Sequence, residues 1–231
     1  MKIIFFGDSL TQGTHGVGYV NKVAAALRGH HFINQGANGD TSLNLYRRID
    51  RDVIDQNPDG VFMMIGINDA ISHSDPGSRP YFRFVKGIRG GQITPIALRE
   101  NIRAILTRLR FAQIRTWVAL PPIEHRPAAV EALREMNQFT SEVCREMNVP
   151  TLDLMAKLTP ETMPERPAKQ LLGMTFASAI QSLTLNEDRY EQLRQDGGYS
   201  YTFDGIHLTD QGAQQIALAV AEFLRTNGLS G

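Results

Sequence analysis

Short apolar runs that stop at a turn and are followed by stretches of helical periodicity recur along the chain, and no other feature restricts its possible folds as much. The first run, Ile3, Ile4, Phe5 and Phe6, ends at Gly7. Four apolar residues are too few for a buried helix and fit a strand covered on both faces. Tyr19, Val20, Val23, Ala24 and Leu27 then recur at helical spacing, with Gly29 as the stop. A second strand is expected over residues 31–34, and its helix over about 41–56, ended by Asn57-Pro58. Further strands are expected over 60–65, 116–120 and 149–154. Between them lie a helix opened by the cap Thr94-Pro95, with Ile102, Ile105, Leu106 and Leu109 buried, and a helix over 128–147. A last helix turns Ala213, Ile216, Ala217, Val220, Phe223 and Leu224 inward and ends near Gly228. Strands alternating with helices make a parallel sheet with helices on both faces and right-handed crossovers.

Two segments break the alternation. Over residues 70–92 both periods vanish among Pro76, Gly77, Pro80, Gly87, Gly90 and Gly91, which reads as a long loop over the sheet rim, a lid or a contact surface. Residues 156–200 form a second excursion, with a helical piece from about 174 to 194. The 231 residues therefore read as one domain carrying two excursions, through either of which a homo-oligomer can form.

Composition removes several functions. Lys plus Arg and Asp plus Glu both number 24, so no bulk field draws in nucleic acid or an anionic membrane. Cys144 is the only cysteine, which leaves no intrachain disulfide or cysteine-cluster metal site, and it reads as a core thiol. No apolar run approaches the roughly 20 residues of a bilayer span. A strand begins at Lys2 without a leader, so the expected location is cytoplasmic.

In open parallel sheets ligands bind beyond the carboxyl ends of the strands. Three successive strands deliver Ser9, Gly39 and Asn68 to that rim, and Asp204 and His207 precede the last helix. A serine nucleophile needs a base, an orienter for the base and donors for the oxyanion. His207 is the base candidate and Asp204, three residues earlier, the orienter. The backbone amides of Ser9 and Gly39 and the side-chain amide of Asn68 are the candidate oxyanion donors. Asp8 is expected to bond neighbouring amides, and His15 reads as a surface residue close enough in sequence to Ser9 to line the cleft. His30 and His31 point to opposite faces of a strand and make poor co-ligands. His73 and His125 read as surface residues, and Met63, Met64 and Trp117 as core.

Gly7-Asp8-Ser9-Leu10, Asn34-x-Gly36-x-x-Gly39-x-Thr41, Gly66-Ile67-Asn68-Asp69 and Asp204-x-x-His207 stand in the order of the four signature blocks of the SGNH, or GDSL-type, hydrolases, which the chain resembles over nearly its whole core. The resemblance implies a flavodoxin-like three-layer α/β/α fold with strand order 2-1-3-4-5 and ester hydrolysis without metal or other cofactor. It also implies Ser9 as nucleophile, His207 as base, Asp204 as orienter, and Gly39 and Asn68 in the oxyanion hole. The long 70–92 and 156–200 segments depart from the shorter members. The expected function is a serine esterase acting on small-molecule or carbohydrate-linked acyl esters through an acyl-serine. Acyl transfer through the same intermediate, and a non-catalytic carbohydrate- or protein-binding module, are the alternatives.

Overall fold

The N-terminal apolar run becomes β1 (Lys2–Gly7), the second strand of a five-stranded sheet of order β2-β1-β3-β4-β5, with β2 (His31–Gly36), β3 (Gly60–Met64), β4 (Arg115–Leu120) and β5 (Thr151–Asp153). Every pairing is parallel. This computed structural model describes residues 1–160 and 187–229. Ile3 to Phe6 are completely buried, as a strand covered on both faces requires. β2 lies at the sheet edge and is half exposed, which is why its sequence carries His31, Asn34 and Gln35 and why the apolar pattern alone ended it two residues early.

The helices are α1 (Ser9–Gln12), α2 (Val20–Ala26), α3 (Ser42–Asp52), α4 (Ile67–Ser74), α5 (Arg79–Phe84), α6 (Pro95–Phe111), α7 (Pro127–Glu146) and α8 (Leu154–Leu158), followed by Glu187–Gly197 and the C-terminal helix Asp210–Thr226. α3, α6 and α7 pack in series with α4 against α7, and α2 packs on the C-terminal helix, so two helical layers flank the sheet. α6 starts as its sequence predicts, Thr94 accepting the Ala97 N–H at 3.2 Å with Pro95 in the first turn. In the C-terminal helix, Phe223 is only partly buried, whereas the other five expected core residues are buried. Trp117, Met63 and Met64 are core, as is Cys144, whose thiol burial pushes up to about 11.

The expected loop over 70–92 is corrected by the structure. The segment completes α4, makes a single turn Pro76–Ser78, forms α5 and closes with the turn Arg89–Gly91. Each piece spans at most about two turns, too short for a period to show. Pro76 and Pro80 start helical turns rather than break them, because the first turn has no use for the missing N–H. Phe82, Ile88 and Ile93 are buried and fasten the segment to the core. Of the helix expected over about 174–194, the part before residue 187 lies outside the described residues. Among the described residues no helix is long and apolar enough to cross a membrane.

The strand order reverses direction at β1: the chain leaves β1 for β2 on one side and then reaches β3 on the other. Such a switch opens a crevice beyond the carboxyl ends of β1 and β3. Gly7 pairs with Met64 across these strands, so the residues just after them, including Ser9 and Asn68, emerge together.

Candidate active site

Ser9 opens α1, two positions beyond the end of β1. Asp8 caps α1 by accepting the Leu10 N–H at 3.0 Å, and Gly13, at φ 70°, closes the turn with its N–H on the Ser9 carbonyl. The approach to this turn leaves no space for larger residues. A Cβ on Gly7 would lie 2.3 Å from Thr11 Oγ1, and one on Gly36 would lie 2.1 Å from Gln12 N. Asn34 ties the next strand end to the same turn, donating to the Thr11 carbonyl at 2.7 Å and accepting the Gly36 N–H at 2.9 Å.

The second and third blocks meet beside it. Asp69, the partner that positions α3, accepts from both N–H (3.0 Å) and Oγ (2.5 Å) of Ser42. Burial still holds the Asp69 carboxyl up at about 6 despite those donors. The Asn68 side-chain amide donates to the Asp40 carbonyl at 3.0 Å, and its contact with Asp8 Oδ2, at 3.4 Å, is long for a hydrogen bond. The backbone N–H groups of Ser9 and Gly39 have no hydrogen-bond partner among the described residues.

Asp204 and His207 come from a tight turn between Tyr201 and the C-terminal helix. The Phe203 N–H donates to the His207 carbonyl at 3.0 Å, and Asp204 Oδ1 accepts the N–H groups of Ile206 (2.9 Å) and His207 (2.7 Å). Asp204 Oδ2 is 2.8 Å from His207 Nδ1, and His207 Nε2 is 3.1 Å from Ser9 Oγ, linking residues 198 positions apart. With Nδ1–H directed at the carboxylate, Nε2 carries the lone pair that faces the hydroxyl.

Electrostatics reinforce this order. Burial lowers the His207 pKa, but the charge and hydrogen bond of Asp204, with the charge of Asp8, outweigh it and hold the imidazole above its ordinary value. Burial likewise raises Asp204, and the charge and hydrogen bonds of His207 reverse the sign, leaving the carboxyl below its usual range. Asp8 has only partial compensation: burial drives it up to about 7 against the Leu10 N–H and the His207 charge. His15 reaches the cleft, its ring 5.4 Å from that of His207, and burial lowers its pKa. On another side Phe203 stacks near His207 at 6.1 Å, with Tyr190 stacked on Phe203 at 4.6 Å.

The structure therefore brings Ser9, Asp204 and His207 into one hydrogen-bonded series and places Asn68 and Asp40 beside Asp8. His30 and His31 sit at the opposite end of the sheet, where His31 pairs with Lys2. His73 is half buried in α4 and His125 is buried, so neither is the surface residue expected. His125 packs at the triad turn, 3.2 Å from where a Cβ on Gly205 would be.

Glu124 escaped the sequence reading. Only 1% exposed, it accepts from Ser200 N–H (2.8 Å) on Oε1, and from Tyr201 N–H (3.1 Å), Thr202 N–H (3.1 Å) and Thr202 Oγ1 (2.8 Å) on Oε2. It thus anchors the turn that carries Asp204 and His207. The available signal was weak, a carboxylate directly after Pro121-Pro122-Ile123 and before His125-Arg126.

A serine, a histidine and an aspartate hydrogen-bonded in series at the rim of a parallel α/β sheet are the arrangement of the serine hydrolase class. The chain belongs to the GDSL-like lipase/acylhydrolase family, whose model matches residues 5–215. It is a hydrolase acting on ester bonds. It is 38% identical over 86 residues to an acetylxylan esterase of Geobacillus stearothermophilus, a match covering 29% of this chain and 39% of that protein's length. It is also 35% identical over 170 residues to the lipoprotein YqeF of Bacillus subtilis (strain 168), covering 65% and 69% of the two. Among solved structures, the acetyl xylan esterase AlAXEase has a TM-score of 0.65 at 18% identity, over 96% of this chain and 98% of that one, a likeness of fold.

Proposed function

We propose that the chain is a serine esterase that removes acyl groups from small molecules or carbohydrates through an acyl-Ser9 intermediate. The observation that carries this reading is the unbroken series from Ser9 Oγ through His207 to Asp204. Ser9 gives its proton to His207 Nε2 as Oγ attacks the acyl carbon. The imidazolium, stabilised by Asp204, passes that proton to the departing alcohol oxygen. Water gives a proton to the same nitrogen as it attacks the acyl-serine, and the imidazolium returns that proton to Ser9 Oγ as the acid is released. The amides of Ser9 and Gly39 and the Asn68 side chain stabilise the oxyanion in both steps, each such donor being worth about 100 to 1000-fold in turnover. The local identity to an acetylxylan esterase favours acetylated carbohydrate within the proposed substrate class.

The test compares native chain with Ser9→Ala on p-nitrophenyl esters of increasing acyl length and on acetylated xylo-oligosaccharides. Ser9→Ala is expected to lose at least ~1000-fold in kcat/KM. Equal hydrolysis by both proteins ends the proposal, and a native preference for long acyl chains ends its substrate assignment.

A further inference from the structure

We propose that Lys86, from the segment just after α5, is a positioning residue for the oxyanion hole. This rests on the proposed function and adds to it. The Lys86 ammonium donates to the carbonyl of Asn38 at 2.9 Å. That carbonyl belongs to the same peptide unit as the Gly39 N–H. The unit is trans, so its carbonyl and its N–H point in opposite directions, and fixing one end aims the other.

The peptide needs such a clamp. Gly39 has φ 71°, and with no side chain a glycine accepts several backbone orientations at little cost, including one that would turn the N–H away. Tyr81 Oη lies 2.2 Å from where a Cβ on Gly39 would be, so a larger residue that would limit that freedom has no room. The restraint therefore has to come from another part of the chain.

Lys86 is itself held from several sides. Its ammonium also pairs with Asp40 Oδ1 at 2.6 Å. Asp40 Oδ2 accepts from Arg48 Nε at 2.7 Å, and Arg48 Nη2 donates to the Gly7 carbonyl at 2.9 Å, at the end of β1. The Lys86 carbonyl accepts from Asn44 Nδ2 at 2.9 Å, and the Gly87 carbonyl from Arg47 Nη1 at 3.0 Å, which docks the segment on α3. The Lys86 and Asp40 side chains are only 15% and 6% exposed, so solvent screens the pair little.

Two of the three proposed donors depend on this one cation. Gly39 is aimed through the Asn38 carbonyl, and the Asn68 amide is oriented by the carbonyl of Asp40, the residue whose carboxylate Lys86 grips. A positive charge on the Asn38 carbonyl also polarises the amide and strengthens its N–H as a donor. The segment that reads in sequence as a lid or a contact surface is then a fixed brace behind the oxyanion hole.

The experiment compares native chain, Lys86→Met and Lys86→Arg by p-nitrophenyl acetate kinetics, inhibition by an arylboronic acid and thermal unfolding. The boronate forms a tetrahedral anion on the serine and so reports the oxyanion hole without turnover. Lys86→Met is expected to lose about 10 to 100-fold in kcat, a fraction of what removing a donor outright costs. KM should stay within about threefold and the boronate Ki should weaken in parallel with kcat, since the interaction is made in the transition state. Lys86→Arg, which keeps a cation on the carbonyl, should recover much of the loss. Combining Lys86→Met with Asn68→Ala should cost less than the product of the single losses. Native kcat in Lys86→Met, a loss confined to KM, or unchanged boronate affinity overturns the inference. So does a Lys86→Arg variant as impaired as Lys86→Met. A native chain inactive on every ester removes the proposed function and this inference together, whereas an active native chain with an unaffected Lys86→Met removes this inference alone.

Discussion

Glu124→Gln is the substitution that most clearly separates the support of the triad from the triad itself. Glu124 is buried and accepts four hydrogen bonds from residues 200–202, three on one oxygen and one on the other. Glutamine has a single carbonyl oxygen, which keeps the three donors of Tyr201 and Thr202 as neutral bonds. Its NH2 group then faces the Ser200 N–H, donor against donor. Losing one bond to a charged group costs about 1.5–3 kcal/mol, and three others fall from charged to neutral strength at about 0.5–1 kcal/mol each. The sum is about 3 to 6 kcal/mol. For a chain of this size 1 kcal/mol moves Tm by about 2–4 °C, so calorimetry should show a fall of at least ~6 °C. Because the loosened turn carries Asp204 and His207, kcat on p-nitrophenyl acetate should fall as well. Glu124→Ala would leave four donors with no acceptor, a loss approaching the whole stability of roughly 5–15 kcal/mol of a typical domain, so glutamine is the informative choice. A Glu124→Gln Tm within about 2 °C of native, with kcat unchanged, refutes the reasoning.

Two further predictions concern titration. Asp8, pushed up to about 7 by burial, keeps in the folded chain a proton that the unfolded chain releases near 3.8, so native stability declines as pH rises from about 4 to 7. Asp8→Asn retains the acceptor for the Leu10 N–H and has no such proton, so its Tm advantage over native should grow across that interval and then level off. An advantage identical at pH 4 and pH 8 contradicts this. His207 is held above the ordinary imidazole pKa by Asp204 acting against burial, so the acid limb of kcat/KM should have its midpoint above about 6.5. Asp204→Asn removes the main upward influence and leaves burial opposed only by the charge of Asp8, so it should move that limb to lower pH while cutting kcat by about 10,000-fold. A midpoint unchanged in Asp204→Asn would show that this carboxylate does not set the base.

The parallel sheet was legible because Ile3 to Phe6 and Gly60 to Met64 are buried on both faces and leave uninterrupted apolar runs. The strand order was carried by the signature blocks rather than by periodicity, which says where strands are but not which are neighbours. Ser9, Asp204 and His207 were legible because each lies in a compact local pattern whose geometry is set by nearby residues, such as the Asp204 carboxylate capping its own turn. Glu124 and Lys86 had no such pattern. Their partners lie 76 to 78 and 46 to 48 positions away, and only the folded chain shows that a carboxylate and an ammonium hold the backbone of the site. The 70–92 segment was illegible for a different reason. Its prolines and glycines begin and end helical turns too short to show a period, so the signals of its structure resembled those of its absence.

The central claim is that the hydroxyl of Ser9 is the atom that receives the acyl group. Intact-protein and peptide mass spectrometry after incubation with a p-nitrophenyl phosphonate ester tests it most directly, because the reagent leaves a stable tetrahedral adduct on an activated serine. One adduct per chain is expected, located on the peptide containing Ser9, formed slowly in His207→Ala and absent in Ser9→Ala. Native chain that hydrolyses esters yet takes the label on another residue, or labels equally well as Ser9→Ala, would contradict it.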